Sequence, residues 1–469
     1  MNSFYKVAVN ISSLIAFVYC LFVLRGVYSY ICLLPLCFFL VINFSRSFSY
    51  IWTRRQFTAY VIFTLLWIRM VFLPFYGCIS QSYSIGISGE LNSNFIGSVF
   101  LCIYDCIAIV LCLAFYELNH TKILATNSQK SSLSLLYGNK YIYVFFVLFA
   151  LIIFFVFGRG YHLFDFAVKS IGGGLEREGD ITDSRYLIIR QIVTSGMMFL
   201  FLLFVNSFHS KYEITKKNKY ISFSLIVAVL LISIIVGERR TAQIYTAFAT
   251  CYVLLTIYPV HRKRIVSVIL LAALFVLTMM TVYKQFYGFM YDSYAEAIQN
   301  AQLSEGLSYS MVDAYFYGID TIAKNIQYGN LIESTGISQV LYDFFRSCFG
   351  LNVFVSHDQL LTSQMYNSII YSGDQLTGLL LSSVGYGYIF GGYFLAPIVT
   401  IFNVLMMLIF ENCLRRSKTI EWQYTFAYLF MRFGFGFLGA TPPLINVVTR
   451  FLAINGVIIL VAGAFKRVS

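Results

Sequence analysis

Residues 141–157 read YIYVFFVLFALIIFFVF, seventeen positions without a charge, with Lys140 before them and Arg159 after. As a helix this stretch rises about 25 Å, close to the thickness of a bilayer's hydrocarbon core. In lipid every backbone amide must be paired inside its own segment, so such a run reads as a transmembrane helix. The same reading repeats on both sides. Upstream lie Val7 to Leu24, Tyr28 to Phe44, Phe57 to Tyr76 and Asn94 to Tyr116; downstream lie Tyr186 to Val205, Tyr220 to Val236, Thr241 to Tyr258, Ile265 to Val282, Tyr393 to Phe410, Trp422 to Ala440 and Leu444 to Ala464. About twelve transmembrane helices follow, in an all-α integral membrane protein organised as a single polytopic domain over 1–469. The composition agrees: 59% of the 469 residues are hydrophobic, 12% are charged and the mean hydropathy is +0.75. No soluble core hides that much apolar surface. Ten-residue alternating segments are absent, which excludes an outer-membrane barrel. The first run lacks a small-residue cleavage pattern and is followed at once by a second, so it reads as a helix and not a signal peptide.

Basic residues set the expected orientation, because cytoplasmic loops retain lysine and arginine. With the N-terminus inside, the inner connections hold Arg46, Arg54 and Arg55; Lys122, Lys130 and Lys140; Lys211, Lys216, Lys217 and Lys219; Arg262, Lys263 and Arg264; and Arg415, Arg416 and Lys418. Both termini are then cytoplasmic, in the inner membrane of a bacterium. The net charge of +12 is explained by topology and contact with anionic lipids, and no nucleic-acid partner is needed. Two outer connections are long: 158–185, with the run Gly172, Gly173, Gly174, and 283–392, rich in tyrosine and including Leu376 to Val384 as a short re-entrant or interfacial helix. Long loops between packed helices usually carry function. The glycine run has no following Lys-Ser or Lys-Thr and is a flexible loop, not a P-loop. Most of the ten cysteines, Cys20 among them, fall inside apolar runs and read as small hydrophobes; Cys78 and Cys348 alone look able to meet an oxidising compartment, and a disulfide between those two is the candidate pairing.

Arg69, Arg190, Arg432 and Arg450 sit inside apolar runs, where a guanidinium costs at least ~2.5 kcal/mol, so each is a functional candidate. Each falls in the outer half of its run, and Arg239 and Arg240 join them at the turn Gly237 to Thr241. The bland alternative is snorkelling or pairing with a carboxylate, for which Asp105 and Glu238 are placed. Six guanidinium groups on one side describe a cationic cavity suited to a lipid-linked diphosphate, which arginine grips bidentately. For proton transfer the outer candidates are His357, with His162 as a weaker second, and the acids Glu238, Asp313 and Asp374. No metal-ligand spacing occurs, and outer-loop tyrosines suit the apolar faces of sugars.

Three short motifs then carry a resemblance: Arg69 followed by Pro74 at the outer end of an early helix; Gly237, Glu238, Arg239, Arg240, Thr241 opening a helix; and Gly378 to Gly392, with Gly385, Tyr386, Gly387 and Tyr388, after the large outer loop. The arrangement resembles the O-antigen polymerase (Wzy-type) family of membrane glycosyltransferases. Where many members have a glutamate beside the last tyrosine, this chain has glycine and tyrosine. The resemblance implies a GT-C-like polymerase/ligase architecture and a metal-independent enzyme without cofactor. It would transfer a growing glycan between undecaprenyl-diphosphate-linked oligosaccharides at the periplasmic face, with a chain-length regulator as a further partner. The arginines would be phosphate clamps and His357, Glu238 or Asp374 the base. An O-antigen ligase and a flippase for the lipid-linked repeat unit are the rival expectations.

Overall fold

The computed structural model describes residues 2–44, 57–82, 89–125, 135–158, 184–234, 240–287, 309–332, 336–356, 358–370 and 381–468. These residues are helical almost throughout. We number the helices α1 (Asn2–Val23), α2 (Leu33–Phe44), α3 (Phe57–Ile79), α4 (Gly89–Ala125), α5 (Lys140–Gly158), α6 (Ser184–Thr215), α7 (Lys219–Ser233), α8 (Arg240–Ile257), α9 (Arg262–Tyr287), α10 (Tyr309–Phe316), α11 (Ile319–Leu331), α12 (Ile337–Ser347), α13 (Thr362–Ile370), α14 (Ser383–Leu395), α15 (Ile398–Arg416), α16 (Ile420–Gly436) and α17 (Thr441–Val468). Among the described residues eight helical stretches are long and apolar enough to cross a membrane, and α7 and α8 add two shorter apolar helices. Their outer faces carry side chains that water would penalise, such as Phe22 at 76% and Phe145 at 71% exposure. The protein is therefore an all-helical, membrane-embedded one.

Every apolar run of the sequence overlaps a helix, with one correction. Tyr393 to Phe410 is not a single helix: α14 ends at Leu395 and α15 begins at Ile398. Gly392 takes φ +58°, and Pro397 supplies no backbone donor, so the helix bends back and restarts. The fold-back brings the Ala396 carbonyl onto the Gly387 Cα, where any side chain would collide with it. Most of the described residues of 283–392, a segment expected as an outer loop with weak helical pattern, belong to α10 to α14. Loop 159–183 and residues 371–380, which include most of Leu376 to Val384, lie outside the described residues.

The chain divides into two compact units: 1–130 with 304–408 and 433–445, and 131–303 with 409–432 and 446–469. In the first, α1 packs on α2 and on the end of α3, α4 packs on α11, and α11 packs on α14. The turn between α16 and α17 has lost helical hydrogen bonding, and its groups are satisfied locally. Ser383 N donates to Leu438 O at 2.7 Å, Ala440 N donates to Leu381 O at 2.9 Å, and Asn403 Nδ2 donates to Phe437 O and Gly439 O at 3.0 Å each. Irregular backbone is tolerated in a membrane protein where it is buried and paired in this way. In the second unit α5 to α9 form successive neighbours. There Glu421 Oε1 accepts from Tyr137 N at 2.8 Å and Tyr143 Oη at 2.9 Å, fixing the start of α16.

Candidate functional site

Helix periodicity aims the site in the second unit. On α16, Tyr428 and Arg432 are four residues apart and share a face; on α6, Tyr186 and Arg190 do the same. Arg432 Nη1 donates to Tyr245 Oη of α8 at 3.1 Å, with the guanidinium carbon 5.6 Å from that ring's centroid. Tyr245 meets Tyr428 edge to face at 5.6 Å, and Tyr428 stacks on Phe451 of α17 at 4.5 Å and 4°. Phe451 is the neighbour of Arg450. The half-buried guanidinium groups of Arg432, Arg190 and Arg450, from three helices, all lie within electrostatic reach of the Tyr428 hydroxyl, and Arg432 alone is seen bonded to the aromatic group at Tyr245. Arg432 lies four residues from the end of α16, Arg190 six from the start of α6 and Arg450 nine from the start of α17. At 1.5 Å per residue none is deeper than roughly 14 Å from a helix end. Arg240 is the first residue of α8, the helix that carries Tyr245, and places the positive end of that helix at its own backbone.

The remaining expected residues fall elsewhere. Arg69 belongs to the first unit, in a π-helical turn of α3 spanning Ile68–Phe72. Its Nη1 donates to Asp105 Oδ2 at 2.8 Å, with 1% and 0% of the two side chains exposed. Asp105 is thus the partner of Arg69, and neither belongs to the three-arginine cluster. Arg239, Glu238, His357, Asp374 and His162 lie outside the described residues. The chain on either side of His357 is pinned to α12, since Tyr342 Oη donates to Ser356 O at 3.0 Å and to Gln359 O at 2.6 Å. Tyr245, Tyr428 and Phe451 are not among the residues the sequence marks as candidates; the spacing of four from Tyr428 to Arg432 is the one local signal that points to them.

Asp313 is occupied in capping. Its Oδ2 accepts from Thr321 N at 2.9 Å and Thr321 Oγ1 at 2.7 Å, satisfying the first turn of α11, while Oδ1 accepts from Tyr309 Oη at 3.3 Å. The neighbouring Asp320 is pushed up to about 8 by burial and by the Asp313 charge, against the opposing pull of Lys324. A carboxyl whose folded pKa is raised holds its proton more tightly in the folded chain, so its contribution to stability is lost as pH rises from about 4 to about 8. Asp320→Asn should remove that fall, and thermal unfolding of the detergent-solubilised protein between pH 5 and pH 8 reads it out; an unchanged slope would place the titration elsewhere.

The tyrosines of the glycine and tyrosine stretch also have defined places. Tyr386 Oη donates to Asp343 Oδ2 at 2.8 Å, both buried, and Tyr388 Oη donates to Asn330 Oδ1 at 2.9 Å. Among the described residues no group of three or more His, Cys, Asp and Glu is placed to hold a metal ion. Comparison with known proteins finds no matching family model, no matching curated protein and no matching solved structure.

Proposed function

We propose that the chain is a bacterial inner-membrane glycosyltransferase of twelve spans, with both termini cytoplasmic, that polymerises a surface polysaccharide at the outer face. The single observation behind this reading is that Arg190, Arg432 and Arg450, on three helices, all come within electrostatic reach of Tyr428, with Arg432 bonded to Tyr245. Three half-buried guanidinium groups in reach of one hydroxyl, on a unit whose α8 begins with a further arginine, suit a diphosphate better than a single phosphate or a neutral sugar.

In the reaction an acceptor sugar hydroxyl attacks the anomeric carbon of the donor glycan. The bond from that carbon to the diphosphate oxygen breaks, and undecaprenyl diphosphate leaves with the bonding electrons. Negative charge grows on the leaving oxygen, and fixed guanidinium groups in a shielded site stabilise it without reorganising. A base from the outer segments, His357 or the acids Glu238 and Asp374, takes the hydroxyl proton. Arg240, the first residue of α8, and Arg239 before it in the sequence are the further diphosphate-binding residues of this reading. Arg69, buried on Asp105, is assigned a structural role in the other unit.

The decisive experiment supplies purified protein in lipid nanodiscs with a defined undecaprenyl-diphosphate-linked repeat unit. A ladder of products growing by whole repeats on the carrier is expected. Transfer of glycan only when lipid A core is added would establish a ligase instead. Movement of unaltered lipid-linked repeat across a sealed vesicle, with no new glycosidic bond, would establish a transporter.

A further inference from the structure

Two cysteines that the sequence places 58 positions apart meet at one end of the first unit. Cys20 lies one turn before the end of α1, and Cys78 is one residue before the end of α3. Their Sγ atoms are 3.4 Å apart and both side chains are buried. The contact is held in register by the neighbouring pair Tyr19 and Phe75, whose rings meet edge to face at 5.3 Å. Cys348, the other cysteine expected to meet an oxidising compartment, is buried at the end of α12. A second pair, Cys37 and Cys106, also faces across helices, but Cys106 sits in the middle of the 37-residue α4.

We propose that Cys20 and Cys78 form a disulfide that ties the outer end of α1 to the outer end of α3. The inference rests on the orientation proposed above, which puts Val23 and Ile79 on the oxidising side of the membrane. Two cysteines on neighbouring helices whose sulfurs already touch need little backbone movement to bond, and oxidising compartments keep such bonds. Cys106 lies in the middle of α4, beyond the reach of a water-borne oxidant, so the Cys37 and Cys106 pair stays reduced.

The oxidant is a protein or small-molecule disulfide of the outer compartment. The Cys78 thiol loses its proton and attacks one sulfur of that disulfide, whose other sulfur leaves as a thiolate and takes up a proton. The Cys20 thiol, likewise deprotonated, then attacks the Cys78 sulfur. The Cys20–Cys78 bond forms, and the oxidant's remaining sulfur departs and is protonated. The two protein thiols are oxidised and the oxidant's disulfide is reduced to two thiols. The exchange takes place before α1 and α3 pack, because the packed pair is buried.

The test quenches intact cells in acid to halt thiol exchange, then counts reactive cysteines in the denatured wild-type protein with a maleimide mass tag. Two of the ten thiols should fail to react until reductant is added, and peptide mapping should return a Cys20–Cys78 cross-link. In cells lacking the outer-compartment thiol oxidase all ten should react. Ten reactive thiols in normal cells, or a cross-link between other cysteines, overturns the proposal. Copper phenanthroline, a small oxidant that enters the bilayer and does not need the thiols to meet a protein partner, then separates the two premises in the same membranes, briefly warmed to open local packing: a Cys20–Cys78 link upholds the contact and condemns the orientation, and no link condemns the contact itself.

Discussion

Arg432→Lys should lower kcat/KM for polymerisation by about 30- to 1000-fold, equivalent to roughly 2 to 4 kcal/mol of transition-state stabilisation. The substitution keeps the charge but removes the planar fork, and lysine cannot both hydrogen-bond Tyr245 Oη and present two parallel donors to a diphosphate. Arg450→Lys and Arg240→Lys should fall in the same range, because a clamp shared among several cations fails when any one is misplaced. The proper control is Arg264→Lys, whose side chain sits at the opposite end of the helical hairpin on Ser222 Oγ and should leave turnover unchanged. Expression level and thermal unfolding should match wild type in all four, which separates loss of chemistry from loss of fold. Polymerisation within about threefold of wild type in both Arg432→Lys and Arg450→Lys would remove the cluster from the reaction and leave it as an aromatic and cationic packing device.

Arg69 should behave in the opposite way. Arg69→Ala leaves the Asp105 carboxylate buried without its counter-charge, and breaking a buried pair by removing one partner costs about 3 to 5 kcal/mol. The expected result is a sharp loss of monodisperse protein and of thermal stability. The pair is joined by one hydrogen bond, Arg69 Nη1 to Asp105 Oδ2, and not by the two parallel bonds of a full fork. Burying two charges therefore costs more here than a fully bonded pair would, and replacing both by apolar groups of similar volume should be tolerated. Arg69→Met with Asp105→Leu should restore stability to wild type or above. If the double variant also polymerises normally, Arg69 is a structural residue; if it is stable but inactive, Arg69 handles substrate as the family resemblance implies.

Arg69 and Arg432 look alike in the sequence. Both interrupt apolar runs, both are expected in the outer half of a helix from the distribution of basic residues, and the cost of placing either in lipid is the same. Arg69 is set apart by a partner 36 positions away on another helix, and no local pattern says which of several distant carboxylates it meets. By sequence Asp105 is a candidate partner for any of the buried arginines. The Tyr428 and Arg432 spacing is a local fact of helix geometry. That Phe451 stacks under Tyr428 and carries Arg450 into the cluster is not, since it depends on how α16 and α17 are rotated about their axes.

What the sequence by itself determined is the solvent and the elements. Lipid imposes a length and an apolar composition on every helix, and both are read one segment at a time, which is why YIYVFFVLFALIIFFVF at 141–157 is legible as α5 from its residues alone. Tertiary structure alone decided which polar side chains share a site, which cysteines touch, and that the weak helical pattern of the described residues in 309–395 is realised as defined short helices. Those choices are made by packing between segments far apart in the chain, where a rotation of one helix moves a side chain to a different neighbour without altering a single local signal.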